Sequence, residues 1–291
     1  MSDQPHQADH LAVRALLLEW LASRLAPAAH QWLTEKAEQV LDGSPEWIFF
    51  TSFSGATRYT GKAELNLTVA EQAAATALRP NWHPETWSVD EAARAAMALS
   101  VPASSADAYL TTLNKVFDTA DVGESVALYQ CLPVFPFADA FRARASEGTR
   151  TNMTSVFEAV AVNNPYPAEY FDENSWNQLV LKGCFVNTTL HGMLGLDQRA
   201  NPALAQMLVD FAHERWAAGR TVSPDLWRPV GPFAEGTMVE DLARALNDTD
   251  PSSQEAAALA LSQSPDPAAA SLLTQKPNLA ARIQAGTLQW P

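Results

Sequence analysis

Cysteine, basic side chains and long apolar runs are all scarce in this chain. Its two cysteines among 291 residues, Cys131 and Cys184, lie far apart in apolar sequence and form no CxxC pair. We expect both to be small buried hydrophobes and expect neither a disulfide nor a thiol catalyst. Lysine and arginine total 19 against 33 acidic residues, which gives a net charge of −14. This acidic balance disfavours nucleic acid and anionic lipid as partners, because both are negatively charged.

The sequence also lacks the short motifs of common catalytic and cofactor sites. It contains no GxSxG, GxxxxGK[ST], GxGxxG or DDxxD-type run. His213 and Glu214 begin like a zinc-protease motif, but Ala217 stands where the second histidine would be needed. We therefore expect no catalytic motif, no metal and no cofactor.

No stretch approaches the ~18 uninterrupted apolar residues that a membrane-spanning helix needs. The opening residues, MSDQPHQADH, are polar and acidic, without the basic start and apolar core of a signal peptide. Apolar residues make up 47% of the chain and charged residues 18%, which is typical of a globular protein. The expected location is the cytoplasm.

Helical periodicity dominates what is present. Apolar residues recur at helical spacings from Asp9 to Ala26 and from Pro27 to Leu41, and this short connection predicts a helical hairpin. The pattern predicts an all-α fold in which antiparallel helical hairpins form a superhelical, HEAT-like array without a substantial β-sheet. After Pro232, brief Ala/Leu-rich segments are broken by Asp-Pro, Ser-Pro and Lys-Pro pairs. We expect a main domain over residues 1–232 and a repeat-like extension over 233–291 that packs on it.

Local signals refine this helical picture. Four hydroxyl residues are each followed three positions later by glutamate, which predicts capping boxes at helix starts; they are Thr68, Ser88, Thr237 and Ser252. Residues 45–66 break the helical pattern, and we expect an ordered loop that lays aromatic side chains on the helices. An alternative role for this loop is a mobile lid hinged at Gly55 and Gly61.

The stretch from Arg150 to Trp227 holds most of the polar side chains that a helical wheel places inward. Arg150, Asn187 and Arg215 fall on the apolar sides of their segments, and the segment from Asn174 to Leu190 is apolar almost all round, as in a buried helix. Such groups need partners. One interpretation is buried ion pairs and helix caps. The other is a ligand- or partner-binding site, whose candidates are Arg150, Asn152, Asn163, Asn164, Trp176, Asn177, Asn187, His213, Glu214, Arg215 and Trp216.

Several motifs in this stretch resemble the EboA family. They occur in a fixed order: RTN at 150–152, NNPYP at 163–167, FDENSWNQLVLK at 171–182, GLDQRAN at 195–201, HERWAAGR at 213–220 and LWRPVGPF at 226–233. The resemblance implies a soluble protein of a bacterial operon that makes or moves secondary-metabolite precursors, with operon-encoded proteins as partners. It implies no reaction, and it assigns no catalytic residue.

Three functions are compatible with these observations. The leading hypothesis is a non-catalytic accessory protein that holds a small amphiphilic or aromatic metabolite or scaffolds partner enzymes. The second is an enzyme that uses His213, Glu214 or Asp210 for proton transfer and Arg150 or Arg215 to fix an anionic substrate. The third is a purely structural helical adaptor, which would show an exposed apolar groove.

Overall fold

The computed structural model describes residues 7–290, and this part of the chain is mostly α-helical. The chain divides into two compact units, Met1–Phe171 and Asp172–Pro291. Among the described residues, extended pairing is confined to one isolated antiparallel bridge, between Glu64 and Ser88. The all-α prediction is confirmed, whereas the HEAT-like arrangement and the domain division at residue 232 stay predictions. Part of the polar amino terminus, including His6, lies outside the described residues.

The first unit is built around one alanine-rich helix. Its helices are α1 (His10–Ala22), α2 (Pro27–Leu41), α3 (Glu46–Thr60), α4 (Val69–Leu78), α5 (Val89–Ala98), α6 (Ala106–Phe117), α7 (Val122–Gln130), α8 (Arg142–Arg150), α9 (Thr154–Ala161) and α10 (Tyr166–Tyr170). Helices α1, α3 and α7 all pack against α5, whose alanine side chains are small enough to let its neighbours approach closely. This central helix is buried along nearly its whole length.

Two charged residues of α5 are buried and satisfy one another. Arg94 Nη1 donates to Asp90 Oδ2 at 2.7 Å, and Arg94 Nε donates to the carbonyl of Phe53 at 3.2 Å. Burial alone would raise the pKa of Asp90, but hydrogen bonds from Ser88 and Thr57 and the charge of Arg94 hold that pKa below its usual value. The pair therefore stays ionised and fixes α5 against α3.

The stretch 45–66, expected to be a loop, is mostly helix α3, so that prediction was wrong. Phe49 and Phe53 are one helical turn apart and buried, and their ring centroids lie 5.6 Å apart. Burial of this face outweighs the low helix propensity of aromatic and hydroxyl residues. The helix ends at Gly61, whose φ of +75° suits glycine. Because Gly55 lies inside the helix, it is not the hinge of a loop lid.

The second unit begins with helices of 14 and 16 residues and ends with two helices of eight residues each. Its helices are α11 (Glu173–Val186), α12 (Pro202–Ala217), α13 (Thr237–Leu246), α14 (Pro251–Gln263), α15 (Pro267–Thr274) and α16 (Pro277–Gln284). The last three each begin at a proline, where its missing N–H is no loss. Helix α14 packs on α13 and on the 3-10 turns Pro224–Trp227 and Gly231–Phe233.

Two of the four predicted capping boxes are present. Thr68 and Ser88 each accept from the amide of a glutamate three residues on, and each glutamate accepts in return. The other two predictions were wrong. Thr237 is the first residue inside α13 and caps nothing. Helix α14 is capped by Asp250, which lies two residues before Ser252 and accepts from its amide. A carboxylate nearer the helix start therefore replaces the hydroxyl cap.

Candidate functional site

The candidate residues fall in both compact units, and four of them belong to the first. Arg150 and Asn152 are exposed, so the expectation that Arg150 faces inward was wrong. Arg150 is the last residue of α8, where the helical wheel no longer determines the direction of its side chain. Asn163, with a left-handed φ of +53°, lines a cleft of this unit. Asn164 is buried and satisfied within the protein, because its amide nitrogen donates to the carbonyls of Tyr129 and Ala159.

Seven candidates belong to the second unit, and one of them, Asn177, joins α11 to the start of α12. Asn177 and Asn201 donate to each other at 2.9 and 3.2 Å, and Asn201 also caps α12 by accepting from the amide of Leu204. Trp176 is buried beneath the guanidinium of Arg199, 5.2 Å from the ring centroid. These contacts give Asn177 and Trp176 structural roles within the second unit.

The expected burial of α11 on all sides was also wrong. Trp176, Leu179 and Val180 are buried on one face, but Phe185 on the opposite face is 68% exposed. Asn187 does not continue the helix inward. It ends α11 with a left-handed φ of +57° and is exposed, because asparagine tolerates that conformation at a helix end.

The outer faces of α11 and α12 form a groove of about 580 Å³. Leu181, Phe185 and Phe211 provide its apolar surface. Its polar lining consists of Gln178, Lys182, Glu214, Arg215 and Arg220. Three cations and one carboxylate thus meet an apolar surface, on a chain whose net charge is −14.

Of these cations, the Arg215 guanidinium is held by a hydrogen bond within the second unit and the Lys182 ammonium by a ring contact. Arg215 Nε donates to the carbonyl of Thr221 at 2.9 Å, and the amide of Arg220 donates to the carbonyl of Arg215 at 2.8 Å. These bonds close the end of α12. Lys182 Nζ lies 5.7 Å from the ring centroid of Phe185, which is a cation–π contact. The groove therefore places positive charge beside aromatic carbon.

Arg215 also lines an adjoining cleft of about 370 Å³. Asn187 and Trp216 line this cleft as well, so three candidates come together there. The guanidinium of Arg244 lies 4.1 Å from the Trp216 ring centroid, and Trp227 packs beside Trp216 at 5.8 Å. The cleft also contains the carboxylates of Asp248 and Asp250. An anion is therefore better placed in the groove than in this cleft.

His213 contacts a carboxylate that was not predicted from the sequence. Its Nε2 lies 2.7 Å from Asp241 Oδ1, whereas Asp210, one turn before it in α12, accepts from Gln206 at 2.8 Å. His213 lines neither the groove nor the adjoining cleft. The three residues proposed for proton transfer, His213, Glu214 and Asp210, therefore do not form one hydrogen-bonded group.

Neither thiol is suited to nucleophilic chemistry. Cys131 and Cys184 are both buried and free, and burial raises the pKa of Cys184 to about 12 and raises that of Cys131 further. Over residues 7–290, no group of three or more histidine, cysteine or acidic side chains is arranged to hold a metal ion. In the same range, no helix combines the length and the apolar character that a membrane crossing requires.

Several lining residues of the groove were not among the sequence candidates. These are Gln178, Leu181, Lys182, Phe185, Phe211 and Arg220. The sequence of α11 did carry a signal for this groove. Its polar residues Gln178 and Lys182 lie beside Leu181 and Phe185, an apolar pair on the side opposite the main apolar face. That pattern fits an exposed amphiphilic surface as well as a helix buried on all sides. Arg220 follows the end of its helix, where periodicity gives no guidance.

The described residues form an all-α protein with an amphiphilic, cation-lined surface groove. The family model described as "Metabolite traffic protein EboA" matches residues 13–231. The chain therefore belongs to the EboA family, and the resemblance predicted from its motifs is confirmed. No curated protein and no solved structure matches the chain.

Proposed function

We propose that this protein is a non-catalytic accessory protein that binds a small amphiphilic anion in the groove of α11 and α12 during metabolite traffic. One observation carries the proposal: the exposed ring of Phe185 and three cationic side chains share a single groove. Two observations other than the groove itself also support the proposal. They are the family's description as metabolite traffic proteins and the position of α11 and α12 within the matched residues.

The apolar part of the groove favours a ligand with a hydrocarbon or aromatic portion. Phe185 exposes 68% of its surface to solvent, and covering a side chain of this size stabilises a complex by about 1.5–3 kcal/mol. The groove's volume of about 580 Å³ falls in the ordinary range of small-molecule sites. Leu181 and Phe211 extend the surface that such a ligand would cover.

The charges of the groove favour an anionic end on that ligand. Lys182, Arg215 and Arg220 outnumber the single carboxylate of Glu214. Elsewhere the excess of acidic residues repels anions, so a local cationic surface gives selectivity. Arginine binds carboxylate and phosphate well because its planar guanidinium can donate two parallel hydrogen bonds.

A matched pair of probes tests both parts of the proposal: 1-naphthyl phosphate, an aromatic anion, and 1-naphthol, its uncharged counterpart. In titration calorimetry, Phe185→Ala should weaken both probes about tenfold, because each loses aromatic contact. Arg220→Gln should weaken only the phosphate, by about two- to fivefold, as expected for one exposed ion pair. Matched controls from the first unit are Trp47→Ala, at an aromatic residue that is 62% exposed, and Arg58→Gln, at an exposed arginine. If neither probe binds, or if both groove variants bind like the wild type, the groove proposal is wrong.

The second candidate function is an enzyme, and the contact between His213 and Asp241 is the observation that favours it. A carboxylate partner orients an imidazole for proton transfer. Release of inorganic phosphate from 1-naphthyl phosphate, abolished by His213→Gln, would support the enzyme. We expect no release, and we expect His213→Gln to leave the affinity of the probe unchanged because His213 does not line the groove.

A structural adaptor remains the third candidate, favoured by the same exposure of Phe185. In that case the groove would take the side chains of a partner protein instead of a metabolite. Association with an operon-encoded protein that Phe185→Ala abolishes, together with failure of both probes to bind, would favour the adaptor.

A further inference from the structure

A separate cleft of about 210 Å³ is formed entirely by residues of the first unit. Two indole rings, those of Trp82 and Trp87, form part of its wall. Gln130, Glu158 and Asn163 contribute polar side chains to its lining. Its character is aromatic and polar, which differs from the apolar and cationic groove of the second unit.

Two residues of this lining each carry a buried polar atom that has no hydrogen-bond partner. Between residues 7 and 290, five buried side-chain polar atoms are unpaired, and Trp82 Nε1 and Gln130 Oε1 are two of them. One is a donor and the other an acceptor. Folded proteins leave few such groups unpaired, because each has given up water without gaining a replacement. Both residues line the same cleft, so a small molecule bound there is the group nearest at hand to supply the missing partners.

The Trp82 ring is held in place by its neighbours. It stacks on Trp20 with centroids 6.0 Å apart and meets the edge of Trp87 at 5.7 Å. The amide of Trp82 donates to the carbonyl of Arg79, and Arg79 is itself buried and bonded to the carbonyl of Pro133. The unpaired indole N–H is therefore a fixed donor, unable to turn toward another acceptor without breaking this packing.

Gln130 and Asn163 are brought to the same cleft by a buried amide. Asn164 donates to the carbonyl of Tyr129, which precedes Gln130 at the end of α7, and to the carbonyl of Ala159 in α9. These bonds tie the turn after α9 to the end of α7. Gln130 and Asn163 are thus each one residue away from a residue of this bonded pair, Tyr129 and Asn164.

We propose that this cleft binds a small, uncharged, planar molecule that carries a hydrogen-bond acceptor beside a donor, such as a carboxamide or a lactam. Its acceptor takes the Trp82 indole N–H, its donor bonds Gln130 Oε1, and its plane lies against the indole wall. The carboxylate of Glu158 in the lining disfavours an anion. The volume is smaller than that of ordinary drug-sized sites, so the ligand is about the size of a single substituted ring.

Three related probes test the proposal: benzamide, N,N-dimethylbenzamide, which has no N–H, and benzoate, which is anionic. Benzamide should shift one indole N–H resonance in an NMR titration, and that resonance should be absent from the spectrum of Trp82→Phe. Gln130→Met keeps a similar shape without the acceptor, so it should weaken benzamide by about five- to tenfold and leave the affinity of N,N-dimethylbenzamide unchanged. Benzoate should bind more weakly than benzamide.

Phe185→Ala is the matched control, because it alters the groove of the second unit and should leave benzamide binding unchanged. The two proposals can therefore fail separately. Gln130→Met keeps the test valid if Trp82→Phe does not fold. The proposal is overturned if benzamide does not bind up to its solubility limit. It is equally overturned if benzamide shifts no indole resonance belonging to Trp82, or binds Gln130→Met as tightly as the wild type.

Discussion

Gly231 is a position where a single added methyl group meets the backbone of a neighbouring helix. A Cβ at this residue would lie 2.9 Å from both the Cα and the carbonyl oxygen of Ala260 in α14. Ordinary van der Waals contact begins at 3.4 Å. Because the obstacle is backbone, no side-chain rotation can relieve it, and Gly231→Ala must displace α14 from the Gly231–Phe233 turn.

The magnitude follows from the cost of overpacking, which is about 1–3 kcal/mol for an extra methyl group in a close-packed contact. The second unit has about 120 residues, and for a domain of that size each kcal/mol lowers the Tm by roughly 4 °C. We therefore expect Gly231→Ala to lower the Tm of the second unit by about 4–12 °C in differential scanning calorimetry. If the two units melt separately, the Tm of the first unit should not change.

Gly55→Ala provides the matched control. A Cβ there would meet only Tyr59 Cε2, at an ordinary 3.7 Å, in the interior of α3, where alanine is about 0.5–1 kcal/mol more favourable than glycine. It should raise stability or leave it unchanged. An unchanged Tm for Gly231→Ala would refute the argument, since it would mean that α14 does not pack against Gly231 as described.

Two further predictions concern titrating groups. Hydrogen bonds and charge from Arg24 hold the pKa of Glu71 at about 2, below its ordinary 4.5, so this pair stabilises the fold above pH ~4.5 and loses that effect as the pH falls toward 2. Glu71→Gln should therefore lower the Tm at pH 6 and match the wild type near pH 2; an equal difference at both pH values would contradict this. Cys131 and Cys184, buried with raised pKa values, should not react with a thiol reagent at pH 8 until the protein is unfolded, and a fast native reaction of either would contradict their described burial.

Most of the helical framework could be predicted from the sequence, because helix starts carry local signals. The Pro27–Leu41 helix was predicted at its observed bounds, and Thr68 and Ser88 cap where expected. The stretch 45–66 was missed because its aromatic and hydroxyl residues are weak helix formers in isolation. Burial of Phe49 and Phe53, which involves contacts remote in sequence, decides its structure.

The candidate site was only partly predictable, because a helical wheel gives the direction of a side chain around the helix axis but not how deeply that side chain is buried. It placed Arg215 among apolar residues but could not tell a buried face from an open groove, so Phe185 was expected inside. The wheel also assumes that the helix continues, which is why Asn187 was placed inward although it ends α11. The contact of His213 with Asp241 joins residues 28 positions apart, and no periodic pattern reports a contact at that separation.

The two proposed sites favour different ligands, and this follows from the polar groups that line each of them. In the groove the cationic side chains outnumber the carboxylates, and Lys182 and Arg220 lie in the same lining as the exposed Phe185. An anion therefore gains most there. The first-unit cleft has one neutral donor without a partner, on Trp82, and one neutral acceptor without a partner, on Gln130. An anion there would lose hydration beside the carboxylate of Glu158. An anion suited to the groove is therefore disfavoured in the first-unit cleft, whereas an uncharged molecule gains nothing from the positive charge of the groove. Because no residue is shared between them, Phe185→Ala and Gln130→Met should act independently when combined.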